Sequence, residues 1–301
     1  MTEISMKHLR YFKSLTHHRH FGQAAEACSI SQPALSLQIK ELEEILGTPL
    51  VERGARKIHL TSLGEAIMPR IEAIILAVDE LKDLARASTS PLLGRLRIGV
   101  IPTIAPYFLP AAIRELKKDH PKLDLQPREA ITQKLVDDLM EGKLDVAIVA
   151  LPISNPSLNE ITLFDEEFVL VRPKKDEKKP IPNIEKIQGM KLLLLEEGHC
   201  FREQALSFCK ISPPRELSTI EGNSLSTLVQ MVGADLGVTL IPAMAIPLEM
   251  RSASVSIARL PIPRPSRTIG MVWRKTNPLS EQLAHIAKIL SQLNTKAILR
   301  K

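Results

Sequence analysis

The chain has 301 residues, of which 44% are hydrophobic and 25% charged, and this composition is typical of folded globular domains rather than disordered chains. No apolar run reaches the ~20 residues that a membrane span needs, and the first residues lack the apolar core of a signal peptide, so we expect a cytoplasmic protein without a membrane partner. The formal net charge is +6, but residues 1–90 carry eleven basic and eleven acidic side chains, so global charge does not by itself indicate nucleic-acid binding.

The amino-terminal region has the pattern of a helix-turn-helix. Its first helix would bury the small apolar face formed by Phe21, Ala24 and Ala25. The stretch "CSIS" (28–31) supplies the turn, where Cys28 is expected to pack as a small apolar residue. Ser31 is the predicted N-cap of the second helix, Pro33 lies in its first turn, and Gly47 follows its last turn. The predicted buried stripe of that helix is Leu35, Ile39 and Leu42.

The start of the second helix is expected to contact DNA. A recognition helix reads base edges with residues near its start, and the candidates are Gln32, Ser36 and Gln38. The stretch "ERGARKIHLT" (52–61) predicts a hairpin of the winged-helix type. The basic side chains that would reach phosphates are Arg53, Arg56 and Lys57. This order of elements predicts binding to double-stranded DNA.

Residues 62–90 predict a long helix. From Ile67 to Ala85 the spacing of apolar residues alternates between four and three, which is typical of a helix that pairs with another helix. Packing on its own domain is the alternative. Pro69 predicts a kink or a late helix start, and "STSPLLG" (88–94) predicts a hinge.

From Arg95 onward, short apolar runs alternate with amphipathic helical patterns. Runs that are apolar at every residue are typical of strands covered on both faces, so we expect α/β units with mostly parallel sheets. The predicted strands are 96–101, 145–150, 168–172, 191–195, 237–242 and 269–273.

The stretch "GHCFREQALSFC" contains two of the three cysteines, Cys200 and Cys209. On one helix their α-carbons would lie ~13 Å apart and their side chains on opposite faces, whereas a disulfide needs α-carbons within roughly 7 Å. A helix and a disulfide therefore exclude each other here. Two interpretations stay open: a pair of ordinary buried cysteines, or a redox pair in which oxidation selects between two packings.

In the redox interpretation Cys200 attacks and Cys209 resolves. Cys200 is predicted at a helix amino terminus, where the helix dipole favours a thiolate, with His199 and Arg202 beside it. Carboxylates oppose this effect, namely Glu196, Glu197 and Glu203.

The whole chain resembles the LysR-type transcriptional regulators. This resemblance implies a winged helix-turn-helix (1–64), a linker helix that dimerises (65–90), and an α/β regulatory domain (91–301) of two subdomains folded like periplasmic binding proteins. Subdomain I would comprise about 91–166 and 268–301, and subdomain II about 167–267, with the chain crossing near 164–168 and 265–269. The family also implies tetramers built from paired dimers.

The redox stretch resembles that of the hydrogen-peroxide-sensing members of this family. So do "IPTIAPYFLP" (101–110), "REAIT" (128–132), "GVTLIPAMAIP" (237–247) and "RTIGMVWR" (267–274). The resemblance implies that five residues bind peroxide or activate the thiol: Thr103, Thr132, His199, Arg202 and Arg267. Glu203 stands where aspartate is common in these proteins, which puts the role of that carboxylate in doubt.

We therefore interpret the chain as a peroxide-sensing transcriptional activator that forms a reversible Cys200–Cys209 disulfide and is not an enzyme. Its expected partners are promoter DNA, RNA polymerase, and a glutaredoxin or thioredoxin system for re-reduction. The alternatives are a regulator with a small-molecule co-inducer, a thiol peroxidase, and a solute-binding transport component. No motif indicates a metal site or another cofactor.

Overall fold

The computed structural model describes residues 3–52, 58–89, 94–209, 221–251 and 253–293. The chain forms two compact units, Met1–Ala85 and Arg86–Lys301. The division falls inside the predicted linker helix, most of which belongs to the first unit. Within the described ranges, no helix is long and apolar enough to cross a bilayer.

The first unit is a winged helix-turn-helix. Its elements are α1 (Met6–His18), α2 (Phe21–Ala27), α3 (Gln32–Leu46), β1 (Val51–Glu52), β2 (His59–Leu60) and α4 (Ser62–Thr89). Helices α1 to α3 enclose a core whose fully buried side chains include Phe12, Leu15, Ala24, Leu35, Ile39 and Leu42. The predicted apolar stripe of α3 is therefore confirmed.

Both ends of α3 lie where their residue types predict. The Ser31 hydroxyl accepts a hydrogen bond from the Ala34 amide at 3.4 Å, and Pro33 lies in the first turn. Gly47 ends the helix with φ of 70°, a left-handed conformation that glycine adopts without a Cβ penalty. These caps stop α3 before the hairpin.

The predicted hairpin is present, with β1 and β2 antiparallel and Val51 opposite Leu60. The buried carboxylate of Glu43 on α3 accepts hydrogen bonds from the Leu50 and Val51 amides at 2.8 and 3.2 Å, which ties the hairpin to α3. The predicted phosphate contacts Arg53, Arg56 and Lys57 lie outside the described residues.

Helix α4 begins at Ser62 and runs through Pro69, so the alternative of a late helix start is wrong. Ile71 and Ile75 are buried in the first unit, whereas Ile74 and Leu81 are 47% and 62% exposed. One face of α4 thus packs on its own unit and another carries apolar side chains at the surface.

The second unit contains the remaining elements. The strands are β3 (Arg95–Val100), β4 (Asp124–Glu129), β5 (Val146–Leu151), β6 (Leu158–Pro173), β7 (Leu194–Leu195), β8 (Glu221–Gly222), β9 (Thr239–Pro242), β10 (Val255–Ala258) and β11 (Ser266–Arg274). The helices are α5 (Ala105–Asp119), α6 (Thr132–Met140), α7 (Ile184–Gln188), α8 (Cys200–Phe208), α9 (Leu225–Gly233), α10 (Ile246–Glu249) and α11 (Ser280–Ser291).

Seven of these strands form one sheet: six follow the order β10-β6-β11-β5-β3-β4, and β9 pairs with β6 off this path. Strand β3 is parallel to β4 and β5, and β7 is parallel to β8. Strand β11 is antiparallel to β5 and β6, and β6 is antiparallel to β9 and β10. The expectation of mostly parallel sheets is therefore wrong, because the two strands that return across the unit, β6 and β11, pair antiparallel.

Strand β6 belongs to two groups of strands. Its first part pairs with β11 as far as Glu167, and from Phe168 onward it pairs with β9 and then β10. The Phe168 amide donates to the Pro265 carbonyl at 2.8 Å, just before β11 begins. The change of partner lies at the positions where the chain was expected to cross; the proposed subdomain limits stay a prediction.

Candidate functional site

Helix α8 holds both cysteines of the predicted redox pair. Cys200 is its first residue and Cys209 is its C-cap, and both thiols are free. Nine residues of α-helix separate the two α-carbons by ~13 Å along the axis, well beyond the reach of a disulfide. An intact α8 and a Cys200–Cys209 disulfide exclude each other, and the structure contains the intact helix.

The Cys200 thiol lies at the amino terminus of α8 and is partly exposed. Unsatisfied amides and the helix dipole favour negative charge at that end of a helix. His199, the N-cap, makes no capping hydrogen bond with its side chain. Burial lowers the pKa of His199 below its ordinary value, while Glu196 and Glu129 oppose the shift. A neutral His199 at pH 7 can donate or accept a hydrogen bond but adds no charge.

Cys209 has the opposite environment. Its side chain is fully buried, and burial raises the pKa of the Cys209 thiol from 9.0 to about 11. Its carbonyl accepts a hydrogen bond from Gln188 Nε2 at 2.9 Å. The Cys209 thiol is thus protonated at pH 7 and inaccessible while α8 is intact.

Arg202 is buried, and its guanidinium forms hydrogen bonds with the strands β7 and β8 beside α8. Its Nη1 donates to the Leu195 carbonyl at 2.8 Å and to Glu221 Oε1 at 2.7 Å. Leu195 ends β7 and Glu221 begins β8. These two hydrogen bonds of Arg202 hold the β7–β8 pair, and its predicted role in activating the Cys200 thiol stays a prediction.

Thr103 and Arg267 are brought together although they are 164 residues apart in sequence. Arg267 Nη1 donates to Thr103 Oγ1 at 2.8 Å, and Nη2 donates to the Thr103 carbonyl at 3.2 Å. Both side chains are buried. Thr103 lies in the turn between β3 and α5, so this turn and strand β11 share one polar cluster.

Glu166 completes this cluster and was not predicted. Its Oε2 accepts hydrogen bonds from Arg267 Nε and Nη2 at 2.9 and 2.8 Å, and its Oε1 accepts one from the Met244 amide at 3.2 Å. Burial raises the pKa of Glu166, and the charge and hydrogen bonds of Arg267 oppose this. Glu166 is the partner of Arg267 in the β6–β11 register, a neighbour that only strand pairing reveals.

Aromatic contacts connect the cluster to α8. The Arg267 guanidinium carbon lies 5.2 Å from the ring centre of Phe201 and 5.9 Å from that of Phe168. The two rings meet edge-on, with centres 4.8 Å apart. Because Phe201 directly follows Cys200 in sequence, the Thr103–Arg267–Glu166 cluster contacts α8 one residue after Cys200.

Thr132 is the first residue of α6, and its hydroxyl is buried without a hydrogen-bond partner in the described part of the chain. The residue before it, Ile131, faces the loop before α8, because a Cβ at Gly198 would lie 3.2 Å from Ile131 Cδ1. The start of α6 therefore lies beside the loop that carries His199. An unsatisfied hydroxyl there can bind a small polar molecule.

The predicted base-reading residues lie on α3. Gln32 is exposed, and Ser36 and Gln38 are half-buried. Gln38 Nε2 donates to Glu41 Oε2 at 2.6 Å, which holds that side chain along the helix. The described residues include no group of three side chains that could hold a metal ion.

Family models match both parts of the chain. The model of the bacterial regulatory helix-turn-helix protein, lysR family, matches residues 6–65, and that of the LysR substrate binding domain matches residues 90–294. The chain belongs to the LysR family of transcriptional regulators.

LysR-family relatives match almost the full length. A probable hydrogen peroxide-inducible genes activator from Streptomyces viridosporus is 40% identical over 293 residues, which cover 96% of this chain and 94% of the relative. The DNA-binding transcriptional dual regulator OxyR of Escherichia coli K12 is 38% identical over 292 residues, covering 95% of each chain.

Solved LysR-family structures share the fold. A full-length OxyR cysteine variant from Pseudomonas aeruginosa superposes with a TM-score of 0.75 at 33% identity, covering 98% of this chain and 97% of the other. A Corynebacterium glutamicum OxyR mutant with H2O2 bound superposes with a TM-score of 0.66 at 32% identity, covering 99% and 94%. The winged helix-turn-helix and the periplasmic-binding-protein-like regulatory domain are thus those of this family.

Proposed function

We propose that this chain is a DNA-binding transcriptional activator that senses hydrogen peroxide by forming a reversible disulfide between Cys200 and Cys209. The observation that carries the proposal is the arrangement of the two thiols on α8. Cys200 is partly exposed at the positive end of the helix, and Cys209 is buried at the other end. The similarity to hydrogen peroxide-inducible genes activators supports this choice of oxidant.

The chemistry takes two steps. In the first, the Cys200 thiolate attacks one oxygen of H2O2, so that an S–O bond forms, the O–O bond breaks, and the leaving hydroxide takes a proton to become water. In the second, the Cys209 sulfur attacks the Cys200 sulfenic acid, an S–S bond forms, the S–O bond breaks, and water leaves. Two thiols are oxidised to a disulfide while one H2O2 is reduced to two waters.

The polar groups near α8 have proposed roles in the first step. Thr103 and Arg267 would hold a peroxide oxygen by hydrogen bonds, with Thr132 supplying its unpaired hydroxyl from the start of α6. His199 would donate or accept a hydrogen bond at the thiol as a neutral side chain. Each of these groups lies on, or in contact with, an element beside α8.

The second step changes the conformation. Because the disulfide cannot span α8, at least part of Cys200–Phe208 must unwind. Unwinding at the first turn would take Phe201 out of its contact with Arg267. Arg267 and Glu166 lie on the two antiparallel strands where the chain changes from one group of strands to the other. Oxidation at Cys200 would thereby change the contacts of Arg267 and Glu166, and so of strands β6 and β11, which run between the two groups of strands in the regulatory domain.

The change in conformation would act on the binding of the chain to promoter DNA. Gln32, Ser36 and Gln38 would read base edges while the hairpin contacts phosphates. The chain would act in the cytoplasm as a tetramer, recruit RNA polymerase to oxidative-stress defence genes, and be re-reduced by a glutaredoxin or thioredoxin system. It would not turn over peroxide as an enzyme, since its disulfide is the signal.

The test replaces one cysteine at a time. Cys200→Ser should abolish the transcriptional response to peroxide, because no other described thiol lies at an exposed helix start. Cys209→Ser should leave a persistent sulfenic acid at Cys200, trapped with a dimedone-type reagent and identified by mass mapping. Cys28→Ser, which removes the thiol of the first unit, is the matched control and should respond normally.

Three results would contradict the proposal. A Cys200→Ser protein that still answers to peroxide would favour a small-molecule co-inducer. Steady consumption of peroxide far beyond one equivalent per chain would favour a thiol peroxidase. Mass mapping after stoichiometric peroxide that finds no Cys200–Cys209 disulfide would remove the switch itself.

A further inference from the structure

We propose that Glu221 is a positioning residue for the redox reaction: by holding Arg202 it stabilises the helical, reduced form of α8 and so opposes disulfide formation. This inference rests on the proposed function, since it concerns the equilibrium between the dithiol and the disulfide of Cys200 and Cys209. It assigns Arg202 a role in the second step of the reaction rather than in activation of the thiol.

One nitrogen of Arg202 on α8 forms hydrogen bonds with both β7 and β8. Arg202 Nη1 lies 2.7 Å from Glu221 Oε1 and 2.8 Å from the Leu195 carbonyl. The Arg202 side chain is 8% exposed and that of Glu221 33% exposed, so water screens the ion pair only partly. The guanidinium of α8 therefore contacts β7 and β8 at the same point.

Arg202 reinforces the pairing of β7 with β8. Within the part of the chain that the structure describes, Leu194 pairs with Glu221 and Leu195 with Gly222, in parallel. The Glu196 amide extends the contact with a 3.2 Å hydrogen bond to the Gly222 carbonyl. An arginine that bonds to both strands thus joins the start of α8 to this small sheet.

Disulfide formation must disturb this junction. Arg202 is two residues after Cys200, inside the helix that cannot stay intact when the sulfurs meet, and we place the unwinding at this first turn. Unwinding at Arg202 turns its side chain away from Leu195 and Glu221. Since the bonds exist in the reduced form and are lost in the oxidised form, they shift the equilibrium toward the dithiol.

Removing the charge of Glu221 should therefore favour the disulfide. In the Glu221→Gln variant the ion pair becomes a neutral hydrogen bond, and the reduced form loses stability that the oxidised form never had. We expect the equilibrium constant for disulfide formation to increase about tenfold, which corresponds to a reduction potential about 30 mV more negative. At a fixed ratio of reduced to oxidised glutathione, a larger fraction of the chain should hold the disulfide.

The measurement is a redox titration of the full-length protein in buffers of reduced and oxidised glutathione. Each disulfide formed converts one glutathione disulfide into two glutathione molecules, and the Cys200–Cys209 peptide is quantified by mass mapping. Glu221→Asp, which keeps the charge, should titrate closer to the wild type than Glu221→Gln does. Arg202→Lys, which cannot reproduce the guanidinium contacts, should shift in the same direction as Glu221→Gln.

The matched control removes a carboxylate of another ion pair in the same unit. Asp235→Asn breaks the exposed Lys175–Asp235 pair, which lies away from α8 in sequence, and should leave the midpoint unchanged.

The rate at which Cys200 is first oxidised should change less than twofold in Glu221→Gln.

Two outcomes would overturn the proposal. An unchanged midpoint in both Glu221→Gln and Arg202→Lys would show that the contact is equally present in both redox forms. If Cys200 were first oxidised more slowly in these two variants and the redox midpoint did not shift, Arg202 would act on the Cys200 thiolate instead. If the wild type itself formed no Cys200–Cys209 disulfide, the proposed function would fail before this question arose.

Discussion

The two thiols of α8 differ because one is at the surface and the other is buried. Cys200 is partly exposed at the helix start, whereas Cys209 has no exposed surface and a pKa raised to about 11 by burial. Nucleophilic attack needs the thiolate. The order that we propose for the reaction, with Cys200 oxidised first, is therefore supported by the position of each residue on one helix.

This difference predicts unequal alkylation of the reduced, folded protein. A pKa two pH units above the ordinary 9.0 leaves about a hundredfold less thiolate at pH 8, and burial slows the reagent further. Iodoacetamide should therefore modify Cys209 at least about a hundredfold more slowly than Cys200, as followed by mass mapping. The Cys209 rate should rise about tenfold per pH unit until pH nears 11.

Urea supplies the control for that experiment. In unfolding concentrations of urea both cysteines are solvated, and their rates should converge. Comparable rates in the folded protein would contradict the resolving role, since Cys209 would then compete with Cys200 for oxidants.

Several residues of the candidate site could be predicted from sequence and others could not. Thr103 and Arg267 were predicted from resemblance, and the structure joins them by a 2.8 Å hydrogen bond. Glu166 was not predicted, because in the acidic run 165–167 it resembles its exposed neighbours. Only the strand register places it opposite Arg267. Glu221 was missed for a similar reason, since nothing local marks it as the partner of Arg202.

At the scale of elements, strands covered on both faces were predictable and edge strands were not. From Phe168 onward β6 is buried at every residue, and its apolar run predicts a strand, whereas residues 158–167 mix buried, half-buried and exposed positions and carry no such run. Strand β4 lies at the sheet edge, is mostly exposed, and contains Pro127, which an edge strand tolerates. Its polar sequence lacks the apolar run that predicts a strand, and only its pairing with β3 shows that it is one.

Helix α8 should lose its hydrogen bonds on oxidation. When the Cys200–Cys209 disulfide forms, amide hydrogen exchange over Cys200–Phe208 should speed up, because the unwound segment no longer protects its amides. Helix α9, which also has nine residues and packs in the same unit, is the matched control and should keep its protection.

A disulfide-bonded protein whose α8 kept full protection would contradict the exclusion between helix and bond. Peptide-level exchange measured by mass spectrometry on both redox forms decides the question, with the disulfide verified in the same sample.

At the scale of the whole molecule, α4 offers a surface for a second copy. Ile74 and Leu81 are seven residues apart on one helix face and are 47% and 62% exposed. Exposed apolar side chains at heptad spacing are typical of helices that pair. The buried Ile71 and Ile75 show that the same helix also packs on its own unit.

Leu81→Lys should therefore weaken self-association without unfolding the chain. Burying a leucine contributes about 1.5–3 kcal/mol, so placing a charge there should raise the dissociation constant about tenfold or more. Sedimentation equilibrium measures the change. Ile262→Lys, at a site that is 84% exposed outside the helices, is the matched control and should associate normally. Equal association of all three proteins would argue that α4 does not mediate pairing.

Strand β6 also determines how stiff the regulatory domain is. Sixteen continuous residues run through both groups of strands without an intervening loop. Any rotation of one group against the other must twist a hydrogen-bonded ribbon, and the antiparallel β11 beside it must twist as well. Such a connection permits small elastic rotations and resists free swinging, so the two groups would settle into a few defined orientations.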